Sequence, residues 1–153
     1  RHIERVKKIE NELKNLGLKI HLHEPKSQIN NNTDIYIVNA YGKTKSFYYY
    51  CKNIFLGGSL VKHGGQNPLE ATRYGCNILH GPNIDNFKEI YNFLKIKKVS
   101  KRINNQKDII YSLNKCFSKN SNTKEIQKKL YTIGQNILYR TYNEMNLLIK
   151  NET

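Results

Sequence analysis

The sequence predicts an α/β fold of the Rossmann type, with a mainly parallel sheet and helices on both of its faces. Short apolar runs with strand character alternate with amphipathic helical runs along the chain. Two of the strand-like runs lead directly into Gly57-Gly58 and Gly81-Pro82. The 153 residues are 38% hydrophobic, which is enough for one buried core. Strands that alternate with helices pair in parallel, because each crossover helix returns the chain to the same end of the sheet. We therefore expect a single domain over 1–153.

The predicted elements follow one another from the first residues to the last. Apolar residues recur at helical spacing from Val6 to Leu16, and Gly17 ends that helix as a C-terminal cap. Strands are predicted at 18–22, 34–38, 53–56, 77–80 and 97–103. Further helices are predicted at 44–52, at 67–74 with Gly75 ending it, after Gly81-Pro82, at 105–118 and at 122–150. Their inward-facing residues are predicted to be Phe47, Tyr50, Cys51, Phe87, Ile90, Leu94, Ile109, Leu113, Phe117, Ile126, Leu130, Ile133, Ile137, Met145 and Leu148.

The chain carries a large positive charge that is unevenly distributed. Lys and Arg total 26 against 12 acidic residues, a formal net charge of +14. Segment 95–129 holds 11 basic residues and 2 acids, a net +9. A nucleic acid, an anionic membrane surface or a phosphorylated substrate would suit such a field. The surplus is mostly Lys in a chain also rich in Asn and Ile, a bias that an AT-rich coding sequence produces whatever the function. Charge alone leaves these alternatives open.

Several classes of protein are disfavoured by the sequence. No apolar run reaches the roughly 18 to 20 residues of a membrane span, and no signal peptide is visible. The chain starts at Arg1 rather than Met, so the native N-terminus is expected to lie outside it. Three widely spaced cysteines argue against a disulfide framework and for a reducing compartment: Cys51, Cys76 and Cys116.

The residues that commonly carry catalysis or bind metals do not form a recognisable set. Three histidines have no partner at ligand spacing, so we expect no metal site from His21, His23 and His80. No nucleophile–base arrangement or pair of carboxylates can be assembled, and we assign no catalytic residue.

The most informative segment is the glycine-rich stretch 55–70. Four glycines within nine residues follow a strand and precede a helix, so backbone N–H groups can converge on an anion. Asn67 is predicted as the helix N-cap and Pro68 as its first residue. The spacing matches neither the NTPase nor the dinucleotide-binding motif. Lys62 and His63 in this loop suit either a phosphate or carboxylate contact or a solvated loop.

Glu70 has two interpretations on spacing alone. As the third residue after the predicted N-cap, it suits a capping box that stabilises the helix by roughly 0.5 to 1 kcal/mol. A carboxylate at this place also suits the two vicinal hydroxyls of a ribose, as in other nucleotide sites. The helix N-terminus is favourable for a phosphate in either case.

The glycine-rich stretch closely resembles a known family of glycosyltransferases. The residues that carry the resemblance are Gly57-Gly58-Ser59-Leu60, Gly64-Gly65-Gln66-Asn67-Pro68-Leu69-Glu70, Gly81-Pro82, Asn86-Phe87 and the opening Arg1-His2-Ile3-Glu4-Arg5. The family is that of the 3-deoxy-D-manno-octulosonic acid (Kdo) transferases of lipopolysaccharide biosynthesis in Gram-negative bacteria. The resemblance covers nearly the whole chain, and the block at 55–87 is its most specific part.

The resemblance implies a GT-B glycosyltransferase with two Rossmann-like domains, of which this chain is the C-terminal, nucleotide-sugar-binding half. Members transfer Kdo from CMP-Kdo, with inversion and without a metal or cofactor, to a lipid A precursor. They act at the cytoplasmic face of the inner membrane, and their catalytic base is a Glu of the N-terminal domain. The chain alone is therefore expected to be soluble, to bind the donor and not to turn it over.

In this family the first strand of the domain lies just before Arg1, and the last helix crosses back onto the N-terminal domain. Part of the apolar face of 130–149 is therefore expected to be exposed, and the basic segment 95–129 suits anionic lipid headgroups.

The resemblance also implies which residues contact the donor. Arg1 is expected to neutralise the CMP phosphate, and Tyr41-Gly42-Lys43 to line the nucleotide. Asn67 and the following N–H groups are expected on the phosphate side, and Glu70 on the ribose hydroxyls. The remaining substrate-binding residues implied by the match are Ser59, Gly64, Gly65, Pro68 and Leu69.

The sequence departs from the family pattern at a few positions. Lys43 stands where an acidic residue is usual, and Asn39-Ala40 replaces a Thr. Lys62-His63 stands where proline and arginine are usual, which keeps one positive charge, and Ile3 replaces a proline. The changes at 39–43 bear on the cytosine contacts and on donor affinity.

Two other functions are alternatives to a Kdo transferase. Another GT-B enzyme, such as a UDP-sugar transferase or lipid A disaccharide synthase, would share the fold and differ in nucleotide preference. A basic RNA- or DNA-binding module is disfavoured, because no helix-turn-helix or RNP motif is visible. The run Tyr48-Tyr49-Tyr50 lies on a predicted helix, so its rings cannot form one stacking platform.

Overall fold

The computed structural model describes residues 5–118 and 123–151. Its strands and helices alternate as the sequence predicts, and they fall into two compact units, Arg1–Ser46 and Phe47–Thr153. The elements, in order, are α1 (Val6–Asn15), β1 (Ile20–Leu22), β2 (Ile35–Ile37), α2 (Thr44–Tyr50), β3 (Asn53–Leu56), α3 (Leu69–Arg73), β4 (Asn77–His80), α4 (Lys88–Ile96), β5 (Ser100–Arg102), α5 (Gln106–Ser118) and α6 (Thr123–Asn151). The prediction of one domain over 1–153 stays a prediction.

The first unit is built on one helix and a pair of parallel strands. Its helix α1 ends as predicted: the Gly17 amide donates to the Lys14 carbonyl at 2.9 Å, and Gly17 adopts a φ of +78°. Strands β1 and β2 pair in parallel with Ile20 opposite Ile35. The Asp34 carboxylate accepts a hydrogen bond of 2.8 Å from the amide of Lys19. Because Lys19 precedes β1 and Asp34 precedes β2, this bond joins the starts of the two strands.

The second unit contains a three-stranded parallel sheet in the order β3-β4-β5. Asn53 lies opposite Asn77 between β3 and β4, and Ile78 lies opposite Ser100 between β4 and β5. The central strand β4 is the most buried, as expected for a strand with neighbours on both edges. The main core cluster consists of Leu56, Ala71, Cys76, Ile78 and Tyr91. The predicted parallel α/β fold is therefore confirmed, with one sheet in each unit.

Some of the predicted inward-facing residues are wrong. Tyr50 is 80% exposed, and Tyr48 packs against the core in its place. Both residues lie within α2, and it is the face carrying Tyr48 that meets the core cluster. Phe117 is 77% exposed in the last turn of α5, whereas the polar Ser112 is buried.

The last helix is half packed and half exposed. Leu130 and Ile133 of α6 line an apolar groove of about 360 Å³ together with side chains of α3 and α4. Ile137, Met145 and Leu148 are exposed, so their prediction as inward-facing residues is wrong for the described parts of the chain. The exposure expected for part of 130–149 is confirmed.

Candidate functional site

A glycine-rich loop leaves the carboxyl end of β3 and runs to the start of α3. Three of its glycines adopt left-handed backbone conformations: Gly58, Gly64 and Gly65, with φ of +72°, +81° and +77°. These conformations are costly for other residues, which explains the density of glycine. The loop closes on itself where the Gly65 amide donates to the Gly58 carbonyl at 3.2 Å. Among the described residues, the Gly64 and Gln66 amides find no acceptor, so they remain available to an anion.

Ser59 ties this loop to the one that follows β4. Its side chain is fully buried. Its hydroxyl donates to the Leu56 carbonyl at 2.6 Å and accepts a hydrogen bond of 2.8 Å from the Gly81 amide. The Ser59 carbonyl accepts two more, from the backbone and side-chain amides of Asn83. Ser59 was expected to contact the donor. The structure engages its hydroxyl and carbonyl with protein groups that hold the loop, and the donor contact stays a prediction.

Two glycines are required by close packing between the two loops. A side chain at Gly81 would overlap the Ser59 carbonyl, and one at Gly64 would overlap the side-chain amide of Asn86. Asn86 also bonds the far side of the glycine-rich loop, with its backbone amide donating to the Gly64 carbonyl at 3.2 Å. The two loops therefore form one structure at the carboxyl edge of β3 and β4. In parallel α/β sheets this edge is where ligands bind.

The segment after the loop differs in detail from the prediction. Helix α3 has only five residues and begins at Leu69, with Pro68 in the N-cap position. The Asn67 side-chain oxygen still accepts a hydrogen bond from the Leu69 amide, at 3.0 Å. So short a helix has a small dipole, so the anion-binding capacity expected of its N-terminus belongs mainly to the loop amides.

Glu70 is exposed in the first turn of α3. Among the described residues its carboxylate makes no hydrogen bond or ion pair, so the capping-box interpretation is wrong. The charge of Glu70 nevertheless reaches Tyr48: burial raises the pKa of Tyr48, and the negative charge of Glu70 raises it further. Glu70 is thus a carboxylate open to a ligand beside the glycine-rich loop.

The other predicted donor contacts belong to the first unit, to the glycine-rich segment or to residues that the structure does not describe. Tyr41, Gly42 and Lys43 follow β2 in the first unit, where all three are exposed. Gly42 has a φ of +75°, so the turn depends on glycine. Arg1 lies outside the described residues. Gly65 and Pro68 are buried, whereas Gly64 and Leu69 are half-buried.

His80 is a residue at this edge to which sequence analysis gave no role. It ends β4 with a side chain that is 4% exposed, and its ring packs against Tyr91 at 4.3 Å between centroids. Its Nδ1 is 2.7 Å from the Gly81 carbonyl, which can only accept, so Nδ1 carries the proton. Burial lowers the pKa of His80, the bond to Gly81 opposes that shift, and Arg102 lowers the pKa further. Its position directly before Gly81-Pro82 could have indicated a structural role.

His23 is a second such residue, at the carboxyl end of β1. Its Nδ1 bonds the Tyr36 hydroxyl, and its Nε2 is buried without a partner among the described residues. In those residues no group of three or more His, Cys, Asp or Glu side chains is placed to hold a metal ion. None of the helices in the described ranges combines the length and hydropathy needed to cross a membrane.

Comparison with known proteins gives relatives of one kind over most of the chain. The chain is 29% identical over 120 residues to the 3-deoxy-D-manno-octulosonic acid transferase of Haemophilus influenzae, covering 78% of this chain and 27% of the relative. It is 28% identical to the enzyme of that name from Aquifex aeolicus (77% and 32%) and 31% identical to that from Rickettsia prowazekii (97% and 31%). The chain thus spans about a third or less of the length of these relatives. No protein-family model matches it.

A solved structure has the same fold. It is the C-terminal CMP-Kdo binding domain of WaaA from Acinetobacter baumannii, with a TM-score of 0.77 and 23% identity, covering 88% of this chain and 70% of that one. The resemblance to the Kdo transferases that the glycine-rich motif indicated is therefore confirmed by the bacterial relatives, and the predicted fold by the solved domain.

Proposed function

We propose that this chain is the donor-binding part of a Kdo transferase and that it binds CMP-Kdo. The observation that carries the proposal is the glycine-rich loop at the carboxyl edge of β3 and β4, joined by Ser59 to the loop after β4. The loop offers free amides, and Glu70 offers an exposed carboxylate beside it. The fold match to a CMP-Kdo binding domain supports the same ligand.

In this proposal each part of the site meets one part of the donor. The Gly64 and Gln66 amides, together with Asn67, hold the phosphate, as backbone N–H groups do in other phosphate sites. Glu70 accepts hydrogen bonds from the two ribose hydroxyls. The family resemblance further implies that Arg1 contributes positive charge to the phosphate and that Tyr41-Gly42-Lys43 lines the nucleotide.

Whole-enzyme activity is part of the same proposal. Transfer proceeds with inversion from CMP-Kdo to a lipid A precursor at the cytoplasmic face of the inner membrane, and a Glu of another domain serves as base. The 153 residues then bind the donor without transferring it. No metal or cofactor takes part, so CMP affinity is the same in EDTA and in Mg²⁺.

The experiment is a calorimetric titration of the chain with CMP, with UMP as the comparison. We expect CMP to bind more tightly, and Glu70→Ala to weaken CMP by about 1 to 3 kcal/mol, the cost of a charged hydrogen bond. Glu89→Ala is the matched control, because Glu89 is also an exposed acid in the first turn of a helix. Equal affinity for CMP in the parent and in Glu70→Ala would show that Glu70 does not contact CMP. Preference for UMP would favour a UDP-sugar enzyme.

A further inference from the structure

Tyr91 is a buried tyrosine that joins helix α4 to the glycine-rich loop. It lies within α4, belongs to the main core cluster and is only 1% exposed. Its hydroxyl donates a hydrogen bond of 2.9 Å to the Gln66 carbonyl. Gln66 lies between the last glycine of the loop and the start of α3. This bond therefore ties the end of the loop to the core behind it.

The surroundings of Tyr91 hold its side chain in one place. The ring packs against the His80 ring at 4.3 Å between centroids. The Ser100 hydroxyl donates to the Tyr91 carbonyl at 3.3 Å, which joins the residue to β5. Burial raises the pKa of Tyr91 to about 12, so its hydroxyl keeps the proton and remains a donor at neutral pH. Tyr91 thus presents a fixed hydrogen-bond donor to the loop.

The bond from Tyr91 sets the direction of one backbone N–H group. The Gln66 carbonyl and the Asn67 N–H belong to one peptide group, which is trans and planar, so they point in opposite directions. Because the carbonyl points to the buried Tyr91 hydroxyl, the N–H is directed away from α4. Asn67 is exposed, and among the described residues its amide donates to no acceptor. The Asn67 N–H is therefore open to a ligand.

An anion binds more tightly to an N–H group whose direction is already fixed, because less backbone freedom is lost on binding. Glycine has more of this freedom to lose than any other residue. Gly64 and Gly65 directly precede Gln66, so the chain has little stiffness of its own at this point. The bond from Tyr91 to the Gln66 carbonyl supplies a restraint that these glycines lack.

We propose that Tyr91 is a positioning residue for donor binding, whose hydroxyl fixes the peptide group between Gln66 and Asn67 so that the Asn67 N–H faces the donor phosphate. The inference rests on the proposed function, because the ligand is the phosphate of CMP-Kdo. Tyr91 acts through the loop and does not itself contact the donor, since it is buried in the core. It adds a residue of α4 to a site otherwise made of loop residues and Glu70.

The variant Tyr91→Phe tests this role, because it keeps the buried ring and removes only the hydroxyl. Tyr74→Phe is the matched control, since Tyr74 packs against the same core cluster and its hydroxyl does not bond the loop in the described part of the chain. Titrations followed by NMR use CMP and cytidine, which differ only in the phosphate. We expect Tyr91→Phe to weaken CMP binding roughly tenfold, the scale of one hydrogen bond to a charged group, and to leave cytidine affinity unchanged. Tyr74→Phe should change neither affinity.

NMR also reports on the peptide group directly. In the ligand-free protein, the carbon-13 resonance of the Gln66 carbonyl should shift upfield in Tyr91→Phe and stay in place in Tyr74→Phe. In the parent, CMP should shift the resonance of the Asn67 amide proton, and cytidine should not. This last measurement needs no variant, so it tests the proposal even if Tyr91→Phe does not fold.

Several results would overturn the positioning role while the parent still binds CMP. They are an unchanged Gln66 carbonyl resonance in Tyr91→Phe, an Asn67 amide that does not respond to CMP, and an unchanged CMP affinity in Tyr91→Phe. Equal weakening of CMP and cytidine would also overturn it, because the hydroxyl would then only stabilise the fold. A parent that binds no CMP would instead refute the proposed function, and this inference with it.

Discussion

Replacing Ser59 with alanine tests whether one buried hydroxyl holds the two loops of the site together. The hydroxyl joins the Leu56 carbonyl at 2.6 Å to the Gly81 amide at 2.8 Å. Alanine removes both hydrogen bonds without adding atoms, and the surrounding packing excludes water because Ser59 is fully buried. The Gly81 N–H is then left inside the protein without an acceptor.

The magnitude follows from these two bonds. Each intramolecular hydrogen bond contributes about 1 kcal/mol net, and a buried donor left unsatisfied costs about 1 to 3 kcal/mol. We therefore expect Ser59→Ala to lower the free energy of unfolding by about 2 to 4 kcal/mol. For a chain of this length that corresponds to a fall in Tm of roughly 5 to 15 °C.

The assay is urea unfolding followed by circular dichroism at equal protein concentrations. Ser112→Ala is the matched control, because Ser112 is also buried and its hydroxyl donates to the Asp108 carbonyl at 2.6 Å. That bond lies within α5, so its loss leaves no backbone donor unsatisfied, and we expect a cost of about 1 kcal/mol or less. If Ser59→Ala costs no more than Ser112→Ala, the hydroxyl does not hold the loops.

Three further predictions concern the same edge of the sheet and the core behind it. Gly81→Ala should destabilise the fold at least as much as Ser59→Ala, because the added carbon overlaps the Ser59 carbonyl; an unchanged urea midpoint would contradict the packing. Cys76 should resist iodoacetamide at pH 8 while Cys116 reacts, since Cys76 is buried and burial raises its pKa to about 11. Peptide mass spectrometry checks this, and equal labelling would show that the core opens readily. Because burial holds His80 neutral in the folded state, the unfolded state binds more protons, and stability should fall as pH drops below about 6.5. The slope between pH 7.5 and 5.5 should shrink in His80→Gln, and an unchanged slope would mean that another group titrates.

The sequence predicted the parallel α/β fold and most element positions because their causes are local. Strands β3 and β4 were predicted at their observed bounds, since each is a short apolar run beside glycine or asparagine. The end of α1 at Gly17 was equally clear, because a left-handed residue after a helix favours glycine. Glycine density likewise located the loop of the candidate site.

Which side chains are buried could not be predicted with the same success, because burial depends on neighbours distant in sequence. Tyr48 rather than Tyr50 packs against the core, which depends on core residues distant in sequence such as Cys76 and Tyr91. The roles of Ser59 and His80 depend on Gly81 of the next loop, and no spacing rule shows that contact. Glu70 has the spacing of a capping box from Asn67, yet α3 starts one residue too late for one and the Glu70 carboxylate stays open.

Helix α6 has a property that follows from being packed over only part of its length. Its 29 residues extend about 44 Å, and side chains such as Leu130 and Ile133 rest against α3 and α4 near its start. Beyond Leu138 most side chains of the helix are exposed among the described residues, and helical segments of this length with little packing are marginal in water. Amide hydrogens there should exchange far faster than those near Leu130. Amide hydrogen exchange at the end of α6 can therefore detect binding without a label. Slower exchange there would show that another surface covers this part of the helix.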